Sequence, residues 1–490
     1  MNSTTPNAAR SAVANDPLFA GKHIHFVGIG GSGMCGLARM LRSRGAIVGG
    51  SDVAESEATS ALVEEGIAVR LEQSSGWLPD QCDLVIASAA IKPEHPELMA
   101  AQRRGVQAIS YAEGLGLAQR GRTTVCISGT HGKSTTTALL SHVLLACGLD
   151  PSFIVGAVCP QIGGGSRTGA ATIPMGPRRG EPGVLVCEAC EFNRSFHQHQ
   201  PSVALINNIE EDHLDCYRGI EEIVGAFHEF ARLVPAAAVD GRLLIAHDGA
   251  HRREVTAGLA CAVATFGFNP AADYHVVYDA AARTTAVRHR QRELGRWSMP
   301  LPGEHNALNS AAAAILASWL GADWPTIGAA IGSFAGLDRR SQRLGVRHVP
   351  GGSVVVYDDY GHHPTECEKT LRAIRTMENP RRLICVFQPH QHSRTRFLLE
   401  QFAQSFSVCD VVIVPHIYFV RDSEAEKTKV SATDLVDRLR RRGVTAMHLY
   451  PFEAIVEQLE VICRDGDLVV VMGAGPVWQV GRELLAGGNQ

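Results

Sequence analysis

The chain has 490 residues, 45 % of them hydrophobic and 20 % charged, with a formal net charge of −4. That length exceeds what a single core organises and points to about three domains. The composition is that of a soluble globular protein, and the mildly acidic balance gives no reason to expect nucleic acid or an anionic membrane as partner.

The first twenty residues, rich in Ala, Asn, Ser and Pro, lack the apolar run of a signal peptide and read as a disordered tail. No apolar stretch approaches the roughly 20 residues needed to cross a bilayer, so a cytoplasmic protein is expected. The 13 cysteines, scattered through apolar runs, fit reduced buried thiols better than disulfides or zinc.

The first domain is expected over residues 21–120. The strand His23 to Val27 runs into Gly28-Ile29-Gly30-Gly31-Ser32-Gly33-Met34 at a helix start, satisfying G-x-G-x-x-G. A second strand ends in Ser51-Asp52, about where an acid would meet a ribose hydroxyl. A further buried strand ends at Ser88, and loops at such strand ends are where parallel sheets bind ligands. Taken alone, this pattern favours an NAD-dependent dehydrogenase, but a UDP-sugar offers the same diphosphate.

A second domain is expected over residues 121–337, opening on a strand, a glycine loop and a helix: Val125 to Ser128, then Gly129-Thr130-His131-Gly132-Lys133-Ser134-Thr135. Amides around Gly129 to Gly132 suit phosphate oxygens, Lys133 the terminal phosphates and the Ser134 hydroxyl a Mg²⁺ ion. The match to G-x-x-x-x-G-K-[ST] is imperfect, since Ile127 stands at the first glycine position. The strand Gly183 to Cys187 ends at Glu188, an acid suited to a second Mg²⁺ contact with Glu191 in support. Past Asn207-Asn208 come Glu210, Glu211, Asp212 and His213, which suit a metal, a reacting carboxylate or simply a helix N-terminus. His305 and Asn309, one helical turn apart, could frame a planar base, with capping by Asn306 as the alternative.

These segments, in this order, resemble the Mur ligases, the ATP-dependent amide-forming enzymes of peptidoglycan precursor synthesis. The resemblance rests on Gly129-Thr130-His131-Gly132-Lys133-Ser134, Glu188-Ala189-x-Glu191, Asn208-Ile209-x-x-Asp212-His213 and Gly303-x-His305-Asn306-x-x-Asn309. The opening Gly28 to Met34 and Gly50-Ser51-Asp52 are most similar to the branch that joins L-alanine to UDP-N-acetylmuramate. A recycling branch that attaches a whole peptide is the alternative within the family.

The third domain, residues 338–490, opens with a basic linker from Leu337 to Gly345, whose arginine forks suit phosphate. Strands ending at Asp359 and Phe387 lead into Tyr360-Gly361-His362-His363-Pro364-Thr365-Glu366 and Gln388-Pro389-His390-Gln391-His392-Ser393-Arg394. The glycine turn Gly473 to Pro476 reads as plain architecture.

The resemblance implies an α/β chain of three domains: an N-terminal Rossmann-like UDP-binding domain, a central P-loop-type ATPase domain and a C-terminal Rossmann-like domain. It implies ATP and Mg²⁺ as cofactors and a monomer or weak homodimer. Gly28, Gly30, Gly31, Ser32, Gly33, Met34, Ser51, Asp52 and Ser88 would hold the UDP-sugar. The phosphate loop through Thr135, with His305, Asn306, Asn309, Arg343 and Asp359, would hold ATP. Ser134, Glu188 and His213 would hold metal, Lys133, Glu188 and His213 would act in catalysis, and His362, His390 and Arg394 would take the amino acid. Cys190, Gln391 and His392 depart from the family pattern.

Overall fold

In the computed structural model, residues 16–420 and 422–487 are described. Three α/β sheets follow one another along the chain. The first joins β1 (His23–Val27), β2 (Ile47–Ser51), β3 (Ala68–Arg70), β4 (Leu84–Ala87) and β5 (Gln107–Ser110), all parallel, in the order 3-2-1-4-5. The order reverses between β1 and β4, which puts the glycine loop after β1 beside Ser88 after β4.

The central sheet has ten strands: β6 (Thr123–Ser128), β7 (Ser152–Ile154), β8 (Ser166–Arg167), β9 (Val184–Glu188), β10 (Val203–Ile206), β11 (Arg242–Ala246), β12 (Ala262–Gly267), β13 (Tyr274–Asp279), β14 (Thr284–His289) and β15 (Arg292–Ser298). Its order, 15-14-13-12-11-10-6-9-7-8, sets β6 between β10 and β9. The loop after β6 is therefore flanked by Glu188 on one side and Asn207-Asn208 on the other. Every residue of β6 is buried, as expected for a parallel strand covered on both faces.

The third sheet comprises β16 (Gln342–Val349), β17 (Gly352–Asp359), β18 (Arg382–Phe387), β19 (Val411–Val414), β20 (Thr445–His448) and β21 (Asp467–Met472) in the order 16-17-21-18-19-20. The expected basic linker passes at Gln342 into the antiparallel edge strand β16. Arg339 is not free for phosphate: it donates to the carbonyls of Gly473 and Gly475 and lies 3.4 Å from Asp358. The glycine turn thus has an architectural partner.

Residues 1–15 of the expected tail lie outside the described residues. The tail does not reach residue 20, because Asp16 pairs with Arg44 and Phe19 packs into the core at 4 % exposure. That core is continuous between the first and central sheets, taking in Phe26, Leu37 and Leu115 together with Cys126, Leu185 and Phe230. Each face of the third sheet has its own cluster. Among the described residues no helix is long and apolar enough to cross a membrane.

Candidate active site

The helices Ser32–Ser43, after Gly31, and Lys133–Ala146, after Gly132, begin without a capping side chain and without an acid in their first turn, as do His392–Phe397 and Trp478–Ala486. Other helices are capped, with Ser110 and Glu113 in a reciprocal capping box and His363 ahead of Pro364. The first two of these uncapped ends are the glycine loops, where free amides and the helix dipole favour an anion.

In the first loop Gly30 donates its N–H to Asp52 Oδ2 at 2.7 Å. The carboxylate expected at a ribose hydroxyl is thus engaged by the loop itself. A Cβ on Gly30 would lie 2.8 Å from Thr59 Cγ2 and 2.9 Å from Asp52 Oδ2, so the loop admits no side chain there. Gly30→Val is expected to raise the KM for a nucleotide sugar at least tenfold with kcat little changed; an unchanged KM in steady-state kinetics would place the sugar elsewhere. Ser51 is fully buried, its hydroxyl bonded to Glu97 Oε2 (2.7 Å) and Gln73 (3.0 Å), so its side chain braces the turn from inside. Met34 is likewise a core residue.

Around the second loop the central sheet converges. Gly132 sits at φ +84°, and a Cβ there would meet Asn309 Oδ1 at 2.5 Å, so only glycine closes this turn. Asn309 underpins it through the Thr136 hydroxyl (3.2 Å), which also accepts from Asn207 (3.1 Å). Asn306 donates to the Pro302 carbonyl and accepts from Asn309, but it does not cap the helix, which starts at Gly303 without a side-chain cap; burial lowers the neighbouring His305 to about 4. Asn208 brackets His131 by accepting its N–H at 2.8 Å and donating to its carbonyl at 3.1 Å.

Lys133 Nζ donates to Glu191 Oε2 at 2.9 Å and to the carbonyls of Gly129 and Thr130. Burial opposes its charge, but Glu191 overrides this and holds the ammonium above its usual range. Ser134 Oγ donates to Glu188 Oε2 at 3.1 Å, and the Gly156 amide donates to the other Glu188 oxygen. His213, at φ +53°, lies 3.9 Å from Glu191 and 3.8 Å from Asp212. Ser134 and Glu188 therefore adjoin directly, whereas the contacts of His213 run to Glu191 and Asp212.

The third domain closes on this cluster through polar groups. Arg394, at the helix His392–Phe397, donates to Asp212 from Nη2 (2.9 Å) and Nε (3.2 Å), and its Nη1 lies 3.3 Å from His390. Although burial opposes it, Arg394 keeps the Asp212 carboxyl far below its usual range. His390 and His362 stand with ring centroids 5.8 Å apart. The expected amino-acid trio is thus gathered beside Asp212 and His213. A narrow pocket opens there, lined by Asp212, His213, Asp215, Gln391, Arg394 and Phe397. Cys190 is half-buried near Lys133, and His392 packs at Asp422.

Sequence reasoning passed over Glu366, although it lay in a quoted motif. His131 lies 3.2 Å from Glu366 Oε1 in the third domain and 3.3 Å from Glu210 Oε2 in the central one, so both ring nitrogens donate and the imidazolium bridges the domains. Burial works against that charge, but the two carboxylates raise His131 to about 9. Its folded pKa lies above the unfolded value near 6.5, so the stabilisation is full below that pH and is lost as pH rises through about 9. Wild type should exceed His131→Gln in stability by on the order of 2–3 kcal/mol near pH 6, shrinking towards zero by about pH 10. Denaturant titrations across that range check it, and a pH-independent difference would count against the bridge.

A glycine loop at an uncapped helix start next to a strand-end acid, facing a second domain across a pocket lined by both signs of charge, is the arrangement of an α/β enzyme with its site at a domain boundary. The chain belongs to the Mur ligase family. Its residues 23–122 match the "Mur ligase family, catalytic domain", 127–317 the "Mur ligase middle domain" and 339–475 the "Mur ligase, glutamate ligase domain". It is 36 % identical over 477 residues to the UDP-N-acetylmuramate–L-alanine ligase of Lachnospira eligens, covering 96 % of this chain and 98 % of the relative. To the ligase of the same name from Clostridium novyi it is 38 % identical, covering 95 % and 97 %. The crystal structure of the UDP-N-acetylmuramate–alanine ligase of Thermotoga maritima superposes with a TM-score of 0.74 at 26 % identity, covering 95 % of this chain and 98 % of that one.

Proposed function

We propose that this chain joins L-alanine to the carboxylate of UDP-N-acetylmuramate at the expense of ATP, releasing ADP and phosphate. The observation that carries the reading is the convergence of Lys133, Ser134 and Glu188 with the Asp212–Arg394 pocket at one domain boundary. Near-full-length similarity to relatives bearing that activity in their names supports the choice of substrates.

A carboxylate resists attack by an amine because its oxygen is a poor leaving group. Transfer of a phosphoryl group from ATP makes an acyl phosphate, and phosphate then leaves as the amine forms the amide. Lys133, held by Glu191 and the loop carbonyls, stands where the transferring phosphoryl develops charge. The hard oxygen donors Ser134 Oγ and Glu188, 3.1 Å apart, fit Mg²⁺, which when bound supplies positive charge to the phosphates. His213, directed towards Glu191 and Asp212, flanks the place of the sugar's carboxylate.

The incoming amino acid would enter the pocket with its carboxylate towards Arg394 and its amine towards His362. Burial lowers His362 to about 4, so its ring is neutral at pH 7. Its Nδ1 faces the Tyr360 carbonyl at 3.2 Å and must donate to it, leaving Nε2 as an acceptor for the amine.

The test is phosphate release with ATP, Mg²⁺ and UDP-N-acetylmuramate, supplied in turn with alanine, serine, glycine or a murein tripeptide. L-Alanine is expected to give the highest kcat/KM. One methyl distinguishes alanine from glycine by roughly 1–3 kcal/mol. Equal or better turnover of glycine or serine would reassign the amino acid, and turnover of the peptide alone would move the chain to the recycling branch.

A further inference from the structure

On the face of the central sheet turned towards the first domain, behind the phosphate loop, three metal-ligating side chains meet. Cys126 on β6 and Cys187 on β9 are register partners on adjacent strands, and His199 follows the turn Phe192–Gln198. Both cysteines are fully buried and His199 is 5 % exposed. Their donor atoms lie within 4.8 Å of one another. Cys126 Sγ is 3.8 Å from Cys187 Sγ, and His199 Nδ1 is 3.5 Å from the first sulfur and 3.7 Å from the second.

We propose that Cys126, Cys187 and His199 form a binding site for a soft divalent cation of the zinc type, separate from the nucleotide's metal. The separations carry the argument. Bonds of about 2.3 Å to sulfur and about 2.0 Å to nitrogen, meeting at the tetrahedral angle, set S and S about 3.8 Å apart and S and N about 3.5 Å apart. The three donors stand at those spacings before any ion is added. Sulfur and imidazole donors select zinc over magnesium, whose oxygen site lies on the other side of the loop at Ser134 and Glu188.

Charge points the same way. Binding displaces the two thiol protons, and two thiolates with a neutral imidazole around a dication sum to zero. A neutral cluster is the form that a water-excluded site among apolar side chains accommodates at least cost; a monovalent ion would leave one negative charge buried. The fourth side is faced by Gln119, at the end of the helix Tyr111–Gln119 from the first domain. Its Nε2 is 2.6 Å from His199 Nδ1 and 3.4 Å from Cys187 Sγ. Its Oε1 accepts the Gln200 N–H, which ties the first domain to the central sheet, and a half-turn that presents Oε1 to the ion exchanges that bond for a metal contact.

The cysteines look scattered along the sequence because this site is assembled across adjacent strands. The C-x-x-C spacing of Cys187 and Cys190 does not itself supply it, because Cys190 falls on the side of Lys133 and Glu191.

The test uses the full chain, reduced and chelator-treated, in a Cys216→Ser background that removes the exposed thiol. Titrated with Co²⁺, it should show one thiolate-to-cobalt charge-transfer band per chain with the intense visible bands of a tetrahedral ion, both abolished by one equivalent of Zn²⁺. Cys126→Ala/Cys187→Ala should lose the bands, and His199→Gln should weaken binding at least tenfold. X-ray absorption of the zinc-loaded wild type should give a shell of two sulfurs with nitrogen or oxygen, a readout that needs no variant to fold. A zinc shell without sulfur, a wild type without the cobalt bands, or bands retained in the double variant would overturn the site.

Discussion

Lys133→Ala is expected to abolish ligation while leaving the affinity for the UDP-sugar nearly intact. The ammonium lies in the central loop, whereas the loop at Gly28 to Gly33 belongs to another sheet, so the proposed sites of the two nucleotides lie on separate elements. Losing its charge on the transferring phosphoryl should cost on the order of 3 kcal/mol or more, at least about a hundredfold in kcat. The variant also strips Glu191, which is 3 % exposed, of its principal cation. Some loss of stability is therefore expected alongside the kinetic defect, and Lys133→Ala/Glu191→Gln should regain the stability without the activity. Calorimetric titration with UDP-N-acetylmuramate decides the matter: an affinity loss as large as the loss in kcat would mean that the sites are not separate.

Arg394→Ala should be nearly as damaging, for a different reason. Asp212 is buried, and Arg394, 182 positions away in sequence, donates to it from both Nε and Nη2. Removing the cation leaves an uncompensated buried carboxylate, worth about 3–5 kcal/mol, and takes the carboxylate-binding fork from the pocket. The KM for alanine should rise at least a hundredfold. Arg394→Lys, which keeps the charge without the fork, should fall between the two. In the double variant Arg394→Ala/Asp212→Asn stability should largely return while turnover does not. If Arg394→Ala alone leaves both melting temperature and KM unmoved, Arg394 neither closes the boundary nor binds the amino acid.

The phosphate loop was legible because its chemistry is local. Gly129 to Ser134 adjoin in sequence, and a buried strand before them with a helix buried on nearly every side after them allows few other readings. The three α/β units were legible from their strand rhythm for the same reason. Side-chain direction was not. Ser51 and Asp52 read as a pair facing a ligand, yet strand alternation turns Ser51 inward to Glu97 and leaves Asp52 on the loop. The contacts of Arg394 with Asp212, and of His131 with Glu366, span separations over which no periodicity carries information. The tail was misjudged at Asp16 and Phe19, because one aromatic and one acid in a polar run find partners only in the folded domain.

The two domain boundaries are built from different materials. Between the first and central sheets the seam is hydrocarbon, one uninterrupted cluster from Phe26 to Phe230. Between the central and third sheets the described contacts at the site are charges and imidazoles: Arg394 with Asp212, His131 with Glu366, Thr365 with Glu210. An apolar seam exposes hydrocarbon when it opens, whereas the groups of a polar seam can exchange each other for water once both faces are hydrated. The chain is therefore a clamp with one stiff jaw and one jaw on a polar hinge. Both glycine loops lie on the stiff side, whereas the pocket at Asp212 and Arg394 draws its walls from both jaws. If that pocket takes the amino acid as proposed, an amino acid arriving while the jaws stand apart would meet only half of its site.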